Sequence, residues 1–267
     1  MRKIIYLSLA LVIMASCKDK NAETQTETEP YIEEELDVIT RVYPENLTEV
    51  FDAHGGIDAW NEMETLEFSV EKPGGYEITT TDLKDRYALI EMPKNTIGFD
   101  GEVLWTKNKD NTVFKGNPES YYNLMFYFYA MPFVLADDGT MYAEADSLTF
   151  DGKTYPGIQI SYENGVGVSS NDEYILYYDA DSHQMTWLAY KGANAENEKS
   201  NEWHFIKYSN WQEVEGMLLP ETMVWYNVEN NRPTTPNHEV KFVSPMLTTV
   251  KMDIRIYGRP EGGELIQ

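Results

Sequence analysis

The sequence predicts a mainly β domain: a curled antiparallel sheet of about ten strands, an incomplete barrel, with an apolar helix on its concave face and a short helix at its N-terminal side. Three observations predict it. Short runs rich in Thr, Ile, Val and aromatic residues recur between Thr65 and Tyr257, separated by Gly, Asp and Asn, which is the pattern of successive hairpins. No long amphipathic helix follows each strand, so the crossovers that a parallel sheet needs are missing. One segment, Tyr121–Met131, is apolar or aromatic on every side beyond Asn123 and must be enclosed by protein. A sheet of this size curls, and its concave side is the enclosure that one domain offers. No repeat of fixed period points to a propeller or solenoid.

Taken in order, the chain opens on an export signal. Met1-Arg2-Lys3 is a short cationic start, and Ile4 to Ala15 is an uncharged, largely apolar run before Ser16 and Cys17, the three-part pattern of a secretory leader. That run is too short for a membrane-crossing helix, which needs about 20 residues. Met14-Ala15-Ser16-Cys17 resembles the lipobox cut by the lipoprotein signal peptidase, with Met14 where Leu is usual. The expectation is a leader over residues 1–16 and lipidation at Cys17, the only cysteine of the chain. A single cysteine so used leaves no intrachain disulfide and no thiolate metal cluster.

With Arg2 and Lys3 removed, the formal charge of −24 becomes −26. Such a surface repels phosphate backbones, so nucleic acid is not an expected partner, and docking on anionic lipid through Lys and Arg is disfavoured as well. The expected membrane partner is reached through the acyl chains on Cys17. Residues 17–42, rich in Glu, Thr, Asp and Asn, bury too little to offset their ordering entropy and read as a tether. Glu33-Glu34-Glu35 is a solvated spacer or an interaction or export signal. Lys18 after the anchor, rather than Asp, favours the outer membrane by analogy with enteric lipoproteins; either face of that membrane is open.

The folded domain is expected over residues 43–267. Leu47, Val50 and Phe51 recur at helical spacing after Pro44, and Gly55-Gly56 ends the helix. His54 at that point reads as a helix-end residue favoured by the dipole or, more sharply, as a catalytic residue. Strands are expected at 65–71, 76–82, 96–99, 103–107, 112–115, 148–150, 157–162, 174–178, 185–190, 202–208, 218–228, 239–243 and 248–257. Pro118-Glu119-Ser120 starts the aromatic helix, and Pro132 and Asp137-Asp138-Gly139 end it. A membrane-inserted hairpin is its alternative reading, and the segment is too short to span.

At this point the residues resemble a family. Val214-Glu215-Gly216-Met217-Leu218-Leu219-Pro220 followed by Thr222-Met223-Val224-Trp225-Tyr226 looks like the strand-turn-strand of the lipoprotein carriers LolA and LolB. Tyr177-Tyr178-Asp179 with Met185-Thr186-Trp187-Leu188 resembles the hairpin before it. His54-Gly55-Gly56-Ile57-Asp58-Ala59-Trp60, and Phe99-Asp100-Gly101-Glu102 with Trp105, are similar to segments of uncharacterised Bacteroidetes outer-membrane lipoproteins of the same superfamily. The resemblance covers most of residues 45–257. It implies a half-barrel closed by helices, with an apolar interior that receives acyl chains in the carriers; no residue here matches the carriers' arginine latch.

Catalytic motifs are missing. There is no Gly-x-Ser-x-Gly elbow and no His-Glu-x-x-His pair, and Gly152-Lys153-Thr154 has Ser147 where a phosphate loop needs glycine. Asp179-x-Asp181-x-His183 has alternating ligands, yet Gln184 and Tyr190 stand where a calcium loop wants Gly and Glu. His54, His183, His204 and His238 are scattered, and a carboxylate pair can always be found among 45 acidic residues. No catalytic residue, metal site or cofactor is therefore expected. The reading that explains most is a lipid-anchored envelope protein, not an enzyme, holding an acyl chain or other hydrophobic small ligand among Trp105, Tyr122, Phe126, Tyr129, Trp187 and Trp225. The alternative is a glycan-binding or envelope-assembly module, with a hydrolase third.

Overall fold

The computed structural model describes residues 42–110, 112–163, 173–191 and 202–266. The expected leader, Cys17 and the tether through Arg41 lie outside them. The described part opens with α1 (Glu45–Ala53) and α2 (Ile57–Asn61). The carbonyl of Pro44 accepts from Leu47 N and Thr48 N, which starts α1 and turns Leu47, Val50 and Phe51 inward. Trp60 of α2 stacks flat on Phe133, with ring centroids 4.5 Å apart.

The strands are β1 (Thr65–Lys72), β2 (Gly75–Asp82), β3 (Ala88–Glu91), β4 (Asn95–Phe99) and β5 (Leu104–Asn108). Helix α3 (Pro118–Tyr129) follows. Then come β6 (Thr140–Phe150), β7 (Lys153–Tyr162), β8 (Glu173–Tyr178), β9 (Met185–Lys191), β10 (His204–Val214), β11 (Met217–Glu229), β12 (Arg232–Thr248) and β13 (Glu264–Leu265). All thirteen form one open antiparallel sheet in the order β13-β5-β4-β3-β2-β1-β12-β11-β10-β9-β8-β7-β6. Turn chemistry drives the pairing: Asp151-Gly152 and Asn230-Asn231 both have positive φ at their two central residues, the geometry whose twist matches paired strands.

The chain therefore winds as two meanders, β1 to β5 and β6 to β11, and β12 joins them. Its first part pairs with β11 from Arg232 to Lys241 and its last part pairs with β1 from Phe242 to Thr248. Because β5 lies beside one edge and β6 forms the other, the connection between them must cross the whole sheet, and α3 is that connection. Phe114 and Tyr121 meet the β3–β5 region, while Phe128 meets Tyr190 of β9. At ~4.8 Å per strand, the eight steps from β5 to β9 span ~38 Å, whereas the twelve residues of α3 rise only ~18 Å. One helix reaches both regions only because the sheet curls around it.

Alternation divides the side chains between two faces. The inner face carries the main core, including Phe68, Phe242, Met223, Ile206, Leu188 and Ile160, closed by α1 and α3. The outer face of the second meander has a smaller cluster around Trp187, Tyr155, Tyr177 and Phe205, partly covered by Phe150 and Tyr226.

Three expectations change. Residues 112–115 form no strand, because side-chain amides take their backbone groups: Asn95 Nδ2 donates to Thr112 O at 2.6 Å and Phe114 N donates to Asn108 Oδ1 at 3.2 Å. The strand expected over 248–257 ends at Thr248 instead. Thr248 Oγ1 accepts from Val250 N, Asp253 accepts from Arg255 N to open a 3-10 turn at Ile254–Ile256, and Tyr257 is carried onto the outer face. The sheet also gains β3 and β13, too short to leave a periodic signal.

Candidate ligand site on the inner face

Helix α3 is fixed at both ends. Asn117 Oδ1 accepts from Glu119 N at 2.9 Å, Pro118 occupies the first turn, and Glu119 faces the positive end of the helix dipole. At the other end Tyr208, buried on β10, donates its hydroxyl to Phe128 O at 2.8 Å, and burial holds that phenol well above its ordinary pKa.

The two halves of the helix differ in enclosure. In the C-terminal half Phe126, Phe128 and Tyr129 are buried. Tyr129 packs 4.3 Å from Phe68 and 4.4 Å from Phe242; Phe128 packs 5.0 Å from Tyr190 and 6.0 Å from Trp225. Trp225 Nε1 donates to the Tyr190 hydroxyl at 3.2 Å. These rings make an aromatic seam from β1 to β9. In the N-terminal half Tyr121 and Tyr122 are only partly buried and Leu124 is 48% exposed. Tyr122 lies 5.2 Å from Phe99 and Tyr121 5.3 Å from Phe114. The expectation of enclosure on every side thus holds for the second half of the helix and not for the first.

A polar row runs through this apolar face. Val70, Phe68 and Leu66 on β1 pair with Glu77, Thr79 and Thr81 on β2, so these three point inward with the core residues. Glu77 accepts from the Tyr121 hydroxyl at 2.6 Å and lies 3.5 Å from Lys72 Nζ; burial and that carboxylate push the Tyr121 phenol far up. At the end of β2, Arg86 lies over the Phe126 ring at 4.9 Å and pairs with Asp137 at 2.5 Å. A buried polar atom without a partner costs about 1 to 3 kcal/mol, and Glu77 Oε1, Thr79 Oγ1, Thr81 Oγ1, Arg86 Nη1 and the Tyr129 hydroxyl are all in that state among the described residues.

Of the six residues expected at the site, the structure brings Tyr122, Phe126, Tyr129 and Trp225 to the inner face. It does not bring Trp105 and Trp187, and the expected cavity shared by three tryptophans is corrected accordingly. Parity is the reason. Leu104 packs inward with Ile97 and Ile90, so its neighbour Trp105 points outward, where its indole donates to Tyr257 O at 2.8 Å. Leu188 is in the main core, so Trp187 falls in the outer cluster, 4.8 Å from both Phe150 and Tyr226. Tyr190 and the row on β2 were not foreseen. Glu77-Ile78-Thr79-Thr80-Thr81-Asp82 looks like a strand with Ile78 inside; its one signal of the reverse is a polar run next to strands whose inner faces are both apolar.

The other candidates settle into structural roles. His54 is buried against Trp211 at 4.6 Å, its Nδ1 2.7 Å from Val50 O, and burial lowers its pKa to about 4. Asp179 accepts from Asp181 N and Ser182 N within a hairpin turn, with Lys153 holding its carboxyl down at about 2. His204 and His238 lie beside Tyr190 and Trp225, at 5.2 and 4.7 Å. No cluster of three or more such ligands fit for a metal occurs among the described residues, and no described helix is long and apolar enough to cross a membrane. On the outer side a groove of about 550 Å³ is lined by Asp85, Tyr87, Asp100, Glu102 and Ile254.

Residues 106–237 match the model of a family of unknown function, DUF6503. Among solved structures the chain is similar to a LolA superfamily protein from Nitrosomonas europaea, at 9% identity over 82% of this chain and 99% of that one, with a TM-score of 0.45. It is also similar to a DUF1329 family protein from Desulfovibrio piger, at 12% identity over 80% of this chain and 98% of that one, with a TM-score of 0.47. Curated proteins give no match.

Proposed function

We propose that this chain is a lipid-anchored protein of the cell envelope that binds a hydrophobic ligand, an acyl chain or lipid-like molecule, on the inner face of its curled sheet. One observation carries the reading: α3 lays an aromatic seam against the inner face with its second half and leaves Tyr121, Tyr122 and Leu124 accessible with its first. A surface that is apolar, concave and open along one side is what such a ligand needs. The role is binding without catalysis; hydrolysis of an ester or glycoside by the purified protein would overturn that part.

Native mass spectrometry of the mature chain carrying Cys17→Ser is expected to reveal a co-purified lipid. Tyr122→Ala is expected to cost only about 1 kcal/mol, the scale of one aromatic pair, while weakening a fluorescent fatty acid several-fold in titration. Unaltered affinity would remove the open half of α3 from the site.

The anchor has its own test. Cys17→Ser is expected to abolish palmitate labelling and to leave a differently processed product, with the outer membrane as the proposed destination of the native protein; continued labelling would contradict it. The outer groove supports a second reading, in which Tyr87 stacks on a sugar ring and Asp85, Asp100 and Glu102 take its hydroxyls. Glycan binding that disappears in Tyr87→Ala would favour it.

A further inference from the structure

A wholly apolar ligand has no use for the polar row beneath α3. Glu77, Thr79 and Thr81 stand at alternate positions of one strand, spread over ~13 Å of its length, and each is at most 2% exposed. Tyr129, wholly buried, packs beside the row, on Phe68 of β1 and Phe242 of β12. Arg86 closes the far end, over Phe126 one helical turn before Tyr129. Four polar atoms in this row, Glu77 Oε1, Thr79 Oγ1, Thr81 Oγ1 and Arg86 Nη1, have no hydrogen-bond partner among the described residues. Folded proteins seldom leave that many buried polar atoms so close together unless something else meets them.

Resting on the hydrophobic-ligand reading above, we infer that this row seats the polar linkage of a neutral, ester-bearing amphiphile of the acylglycerol class, with its chains along the aromatic seam. Charge selects the class. Among the described residues the cations at the row are already paired, Arg86 with Asp137 and Lys72 with Glu77, so none is left to spare for a carboxylate or phosphate. The atoms present suit a neutral group. Glu77 Oε1 accepts from a hydroxyl, Arg86 Nη1 donates to an ester carbonyl, and the Thr79 and Thr81 hydroxyls serve in either sense.

The test uses the mature chain with Cys17→Ser and displacement of 1-N-phenylnaphthylamine, a neutral apolar probe, by 1-monooleoylglycerol and by oleate. Thr79→Val combined with Thr81→Val keeps shape and removes two hydroxyls; Thr79→Val alone removes one and is the check if the pair fails to fold. The probe is expected to bind the parent and the variants within about two-fold, while monooleoylglycerol competes about ten-fold less well against the variants, the scale of one hydrogen bond. Oleate is expected to compete less well than monooleoylglycerol against the parent. If the parent binds no probe, the hydrophobic-ligand reading itself fails. If the probe binds and monooleoylglycerol competes equally with parent and variants, the row holds internal water only and the inference falls. Tighter binding of oleate than of monooleoylglycerol overturns the choice of a neutral headgroup.

Discussion

Gly98→Val is expected to destabilise the domain by about 3 to 4 kcal/mol, the upper range for overpacking together with a lost hydrogen bond. A Cβ built at Gly98 meets the indole of its cross-strand neighbour Trp105 at 2.2 and 2.3 Å, closer than any real contact. The indole has nowhere to go: Trp105 is 1% exposed, and its N–H donates to Tyr257 O at 2.8 Å. Moving it releases the segment from Val250 to Tyr257 that covers this part of the outer face. The mechanism is tested by a double-variant cycle. Trp105→Ala alone removes a large buried ring and is expected to cost about 3 to 5 kcal/mol, but in the Gly98→Val background much of that cost is already incurred. Urea melts should therefore show the double variant well short of the sum of the singles; full additivity would mean that the two residues do not share the space the structure gives them.

Acid should unfold the domain partly through one histidine. His54 is wholly buried, its Nε2 has no partner among the described residues, and its pKa falls from 6.5 to about 4 because burial disfavours the imidazolium. The unfolded chain takes up this proton first, so between pH 6.5 and 4 stability declines as pH falls, by about 3 kcal/mol in total. Below pH 4 both states hold the proton and the contribution is exhausted. Carboxylates titrate in the same window, so the measurement is a difference: urea midpoints of the parent and of His54→Leu at pH 7, 5.5 and 4.5. The parent is expected to lose more on acidification than the variant does. Parallel profiles would assign the acid sensitivity to other groups.

Most of the sheet was legible because hairpins announce themselves locally. Pro73-Gly74-Gly75 and Asp151-Gly152 mark turns whose positive-φ backbone glycine and aspartate adopt readily, and the flanking strands follow. The segment from Val250 to Ile256 was misread because its apolar side chains imitate a strand, whereas Val250, Ile254 and Ile256 are 40 to 62% exposed. The site was legible in part. An all-round aromatic helix states that it must be enclosed, so Phe126 and Tyr129 were foreseen. Which tryptophans join it depends on the face each strand presents to the helix, and that parity follows from a partner many residues away. Trp105 and Trp187 differ from Trp225 by one step of alternation, which composition and propensity do not record. The buried row on β2 was hidden for the same reason, since a threonine-rich strand ordinarily faces water.

The double pairing of β12 has a kinetic side. β1 finds its partner in residues 242–248, at the far end of the domain, so the contact that unites the two meanders is among the most remote in sequence that the chain makes. Remote pairings slow folding, because loop entropy must be lost before any contact repays it. During synthesis β1 emerges early, and one side of it stays unpaired until almost the whole domain has been made. An unpaired strand edge is a template for joining another chain, so the interval before β12 arrives, more than the finished fold, is when this protein is most exposed to aggregation.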